Sequence, residues 1–165
     1  MSVSQRVAPF AALLRLNTKL LLNCLDGVSS DVAVARPAPP ANSMAFLVAH
    51  LVDTRHELLA LLGARRENPV ADSLANASGI DDVSELPALP VLLDAWRGTG
   101  AALDACLAAT SDAALDAPTQ QGFPGSDGTT LGALAFLVQH DSYHIGQLAM
   151  LRRIHGLPAM SYRMR

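Results

Sequence analysis

At 165 residues the chain is about the length of one domain, residues 1–165, with room for a buried core. Its formal charge is −3, and one lysine, Lys19, stands beside eleven arginines, so the basic excess that nucleic-acid binding needs is missing. Half of the residues are hydrophobic (50%) and 16% are charged, which excludes disorder, while the longest uncharged run, Pro37 to Val52, is broken by prolines, Asn42, Ser43 and His50 and falls short of the ~20 apolar residues of a membrane helix.

Val7, Phe10, Leu14, Leu21 and Leu25 recur at the spacing of one helical face, and Gly27 follows as a terminator, so a first helix is predicted over Gln5 to Leu25. Arg6, Arg15 and Lys19 interrupt its apolar pattern and leave no secretory h-region, from which a cytoplasmic location is expected. Pro37, Pro39 and Pro40 then remove donors and make a loop. Ser43 can cap a second helix in which Leu47, Leu51, Thr54, Leu58 and Leu61 share a face, closed by Gly63.

The polar stretch from Ala64 to Pro90 is long for a connection, and is expected to cross a bundle or to hold a short extra helix. Leu92, Trp96, Leu103 and Leu107 mark a third helix despite Gly98 and Gly100, each of which costs about 1 kcal/mol relative to alanine. After a loop rich in glycine and proline, Thr129 or Thr130 caps a fourth helix that runs to about His155 and stops at Gly156 and Pro158. Four amphipathic helices without an alternating strand pattern predict an all-α four-helix bundle with long connecting loops, its winding order left open.

The histidines stand out against this pattern. His140 and His144 are four apart, which places both on one face of the fourth helix, and Leu137, Leu148 and Leu151 lie on the same stripe. His50 interrupts the apolar face of the second helix in the same way. Three imidazoles aimed into one bundle suit a borderline transition metal (zinc, nickel, iron or copper) and leave a position free for water or substrate; the plainer reading is core histidines satisfied by hydrogen bonds.

The segments FLVAHLVDTRHELLALLG, from Phe46, and FLVQHDSYHIGQLAMLRRIHGLP, from Phe136, resemble the DinB-like superfamily of four-helix-bundle proteins, which includes bacillithiol transferases and relatives of mycothiol-dependent maleylpyruvate isomerases. The resemblance rests on His50 in the second helix, His140 and His144 in the last, and the Gly146–Gln147 that follows. It implies that these three histidines bind a divalent metal, that the protein is a homodimer, and that it acts on a small molecule as a metal-dependent enzyme activating a low-molecular-weight thiol, by S-transfer or thiol-dependent isomerisation. Alternatives within the same frame are a hydrolase using metal-bound water and a non-catalytic metal-binding or stress-response bundle. Ile145 departs from the arginine that many relatives carry after the last histidine, which puts use of the same anionic thiol in doubt.

Asp53 and Glu57 lie three and seven residues past His50, where either could orient its imidazole or act as a base; the alternative is a solvated edge paired with Arg55 or Arg97. Gln147 could contact substrate at the pocket mouth or simply pack between helices. Asp141 and Tyr143 are offset from the histidine stripe and read as helix-interface or surface groups. His56 and His155 read as solvated, the latter suited to a helix C-terminus. Cys24 and Cys106 read as small buried hydrophobes, Trp96 as core or pocket wall, and Arg152 and Arg153 as a solvated helix end.

Overall fold

A computed structural model describes residues 4–162, and among these it is all-helical. Its elements are α1 (Ala8–Leu25, entered through a 3-10 turn at Gln5–Val7), α2 (Ser30–Val34), α3 (Met44–Leu61), α4 (Ala71–Leu74), α5 (Leu89–Leu107), α6 (Asp112–Asp116) and α7 (Thr130–Ile154). The long helices begin and end where local chemistry dictates. Ser43 accepts from the Phe46 amide and Thr129 from the Gly132 amide, so each hydroxyl satisfies one of the orphan donors of a first turn. Gly27, Gly63 and Gly156 follow α1, α3 and α7 with φ of 71°, 81° and 77°, in the left-handed region that terminates helices.

The winding order follows from pairwise contacts. Helix α1 packs on α5 and α7, and so does α3, which leaves α1 and α3 facing each other across the core. Asn17 bonds the Val138 carbonyl while Arg152 bonds the Cys24 carbonyl, so α1 and α7 run parallel. The pairs Arg15–Asp104 and Trp96–Thr18 make α1 and α5 antiparallel, and His50–His140 with Glu57–Gln121 do the same for α3 and the α7 side. The bundle is therefore wound up, down, down, up. Parallel α3 and α5 need a crossover, and this is what the long stretch after Gly63 supplies, with α4 and a 3-10 turn at Ile80–Asp82 inside it. The loops after α1 and α5 hold further short helices, α2 and α6, capped by Ser29 and Ser111.

The core divides in two. One cluster gathers Leu21, Cys24, Met44, Leu47, Leu51, Trp96, Ile145 and Leu148; the other gathers Leu14, Leu58, Leu59, Leu103, Leu107, Leu134 and Leu137. Where they meet, every long helix contributes a polar residue: Asn17 and Thr18, Arg55, Thr99 and Asp141. Arg55 is 1% exposed and donates to one Asp141 oxygen from Nε at 3.0 Å and Nη2 at 2.8 Å, and to Thr18 Oγ1 at 2.8 Å. Its guanidinium lies 3.2 Å from the centre of the buried Trp96 ring. Gly100 makes room for this, since a Cβ there would meet Thr18 Oγ1 at 2.9 Å and Arg55 Nη1 at 3.3 Å.

Two expectations are corrected here. Arg152 is not a solvated helix end: it is buried at 7% exposure and donates to the carbonyls of Cys24, Asp26 and Pro158, tying the end of α7 to the end of α1. Nor does Arg55 pair with Asp53 or Glu57, because its side chain turns inward to Asp141, while Arg97 pairs with Asp94 on the surface. No described helix is long and apolar enough to cross a membrane.

Candidate metal centre

Helices α3 and α7 lie antiparallel, so His50 on one meets the His140–His144 pair on the other. The Nε2 atoms of His50 and His140 stand 3.1 Å apart, as do those of His140 and His144, and one donor atom from each ring lies within 4.8 Å of the others. Two nitrogen ligands of a tetrahedral zinc with bonds of about 2.0–2.1 Å would be about 3.3 Å apart, so little movement separates this arrangement from a ligand set. Among the described residues no cysteine or carboxylate joins the group.

The protonation pattern bears on the choice between a metal and a hydrogen-bonded core. The Gln147 Oε1 atom accepts from His144 Nδ1 at 2.7 Å, which places the proton on Nδ1 and leaves Nε2 with a lone pair. His140 Nε2 faces two neighbours and carries at most one proton, so hydrogen bonding leaves one of the two 3.1 Å contacts unmatched. A cation between the three lone pairs satisfies all of them. Burial, followed by the neighbouring histidines, pushes the His140 imidazolium down to about 4, and burial then His144 lowers His50 as well. Both rings are thus neutral near pH 7, the form a metal requires. His140 Nδ1 is buried without a partner, with Phe136 stacked on the ring at 5.9 Å between centres.

Beside the histidines opens a cleft of about 370 Å³ lined by Asn42, Phe46, His50, Asp53, Leu74, Ser78, Gly79 and His144. Asp53 shares that wall but accepts from Asn68 Nδ2 at 2.7 Å; no hydrogen bond joins it to His50. Gln147 and Asn42 also line a neighbouring cavity of about 300 Å³ with Leu47, Met150 and Leu151. Tyr143 is 57% exposed and sets its ring edge-on to His144. Glu57, Gln121's acceptor at 2.8 Å, lies a helical turn beyond Asp53. His56 and His155 are both half-buried rather than solvated, and His155 stands at the C-cap of α7. Cys24 is buried and Cys106 half-buried.

Three partnerships around the site were not anticipated from sequence: His144 with Gln147, Asp53 with Asn68, and Arg55 with Asp141. Asp141, next to His140, is the buried end of the Arg55 ion pair and locks the register of α3 against α7 directly below the histidines. The available signal was a charge of each sign at core-facing spacing, Arg55 between Val52 and Leu58 and Asp141 between Val138 and Ile145.

The model of the DinB superfamily matches residues 13–148. The chain belongs to the DinB superfamily. All three histidines, the Arg55–Asp141 pair and Gln147 fall inside the DinB match, whereas Arg152 lies beyond it. No curated protein shows a significant match to this DinB superfamily chain.

Proposed function

We propose that this DinB superfamily protein is a metal-dependent enzyme that activates a low-molecular-weight thiol, transferring it to an electrophile or using it for thiol-dependent isomerisation. The observation that carries the reading is the convergence of three Nε2 atoms at the wall of an open cleft, with no fourth protein ligand among the described residues. A structural site would be closed; an open one leaves room for an incoming group. A divalent transition metal held by His50, His140 and His144 would supply positive charge that lowers the pKa of a thiol or of water. The chain's own residues have three tasks. Gln147 fixes the His144 ring and its tautomer. Asp53, hydrogen-bonded by Asn68, lines the same cleft and would take the proton that the incoming group gives up. Phe46, stacked on His50 at 6.3 Å, keeps that side of the site apolar.

The test begins with untagged protein purified without nickel resin and assayed by plasma mass spectrometry. Near-stoichiometric metal is expected, and its loss in His144→Ala with helix content retained. Full metal in that variant after dialysis against a weak chelator would sink the ligand assignment. Loaded protein is then offered a panel of thiols with an aromatic chloride electrophile; thioether formation supports thiol transfer, whereas ester hydrolysis without thiol turns the reading to water activation.

A further inference from the structure

Next to the histidine cleft lies a second cavity of about 440 Å³, lined by Asp53, His56, Glu57 and Ala60 on one face of α3 and by Arg65, Arg66 and Asn68 on the segment that folds back along it. Asp53 belongs to both walls, so the two spaces adjoin. The cavity is of a size that accepts a small molecule.

The cavity brings cations and carboxylates to one wall without joining them. Arg6, Arg15, Arg36, Arg55 and Arg97 each pair with an aspartate, whereas Arg152 and Arg153 bond backbone carbonyls. Arg65 and Arg66 form no ion pair or hydrogen bond among the described residues, although two carboxylates line the same cavity. Those carboxylates are partnered by neutral amides, Asp53 by Asn68 and Glu57 by Gln121. Asp53 and Glu57 are four apart on one helix, a like-charge spacing that destabilises, and burial together with the Asp53 charge raises the Glu57 carboxyl above its usual range. The arginines are not on a loose tail: the Ala64 amide bonds the Leu59 carbonyl, Asn68 bonds Asp53 and caps the Val70 amide, and Val70 is fully buried. Charges of both signs thus line one space, the two arginines exposed at its edge and in no ion pair with its carboxylates.

A ligand carrying both charges satisfies this arrangement. We propose that the cavity binds the zwitterionic amino-acid end of a small molecule, its carboxylate against Arg65 and Arg66 and its ammonium against Glu57, with the remainder passing Asp53 toward the histidines. Guanidinium groups present paired donors that match a carboxylate, and a single acidic oxygen suits an ammonium. The passage toward the histidines rests on the metal reading above; the charged cavity does not.

The test is therefore run on metal-free protein by following backbone amide resonances during titration with L-norleucine, hexanoate and hexylamine at matched concentrations. L-Norleucine is expected to give saturable shifts around Asp53, Glu57 and residues 64–68, and to bind about tenfold or more tightly than either singly charged analogue, the gain of one further charge-assisted contact. Arg65→Gln with Arg66→Gln, and separately Glu57→Gln, should each weaken it by about tenfold while leaving the spectrum elsewhere unchanged. Absence of shifts with L-norleucine, equal response to hexanoate, or unaltered binding in the variants would overturn the assignment. None of these outcomes moves with His144→Ala, so failure of this site and failure of the metal site are separable.

Discussion

Gln147 bears on the proposed metal site without belonging to its ligand set. Its oxygen accepts a hydrogen bond from Nδ1–H of His144, which leaves the ring's other nitrogen with the lone pair that a cation would need. Gln147→Ala should lower zinc affinity by about 10- to 100-fold with the three histidines intact, as measured by competition against a fluorescent chelator. Gln147→Glu keeps an acceptor at the same reach and should restore most of that loss; equal affinity in wild type and Gln147→Ala would show that the contact does not orient the ring. Cys24 gives a second prediction at this scale. It is fully buried, and desolvation pushes its thiol up to about 11 from an ordinary value of 9.0. The unfolded thiol ionises first as pH rises, so folding stability should fall between pH 9 and 11, by about 2 kcal/mol at the upper end. Denaturant titrations across that range should show a steeper decline for wild type than for Cys24→Ala.

At the scale of elements, the polar layer between the two core clusters sets the register of α3 on α7. Arg55→Met would leave the Asp141 carboxylate buried and unpaired, and should cost about 3–5 kcal/mol in urea unfolding, whereas Arg55→Met with Asp141→Leu should recover much of that because it removes both charges. Additive losses in the double variant would mean that the two residues act separately. This layer marks the boundary of what the sequence makes legible. The long helices are written in local signals: apolar residues at three and four, Ser43 and Thr129 as caps, glycines at the ends. The three histidines are legible for the same reason, being polar residues on stripes otherwise apolar. Helices α2 and α6 escape because five residues cannot display a period, and each depends on its serine cap and on what it packs against; the length of the crossover leads one to expect a short helix such as α4, but no local signal sets its position. Arg152 escapes because two of its three acceptors, the carbonyls of Cys24 and Asp26 at the end of α1, are 128 and 126 residues away in the chain. The winding order depends wholly on such distant contacts.

For the whole molecule, His50 and His140 bring together two antiparallel helices from positions 90 residues apart, so a cation bound there, as proposed, would hold together parts of the chain that unfolding separates. An ion that binds the folded chain and not the unfolded one stabilises it by about 2.7 kcal/mol at one hundred times its Kd. For a chain of this length, each kcal/mol moves the unfolding midpoint by about 2–4 °C, so saturating zinc should raise Tm by about 5–10 °C in calorimetry. His50→Ala deletes the α3 side of the bridge and His140→Ala the α7 side, and either change should remove most of the zinc-dependent rise. The two deletions distinguish a bridge from a local effect. An α7-only site built from His140 and His144 would survive His50→Ala with its zinc response intact, and that result would show that the metal does not tie α3 to α7.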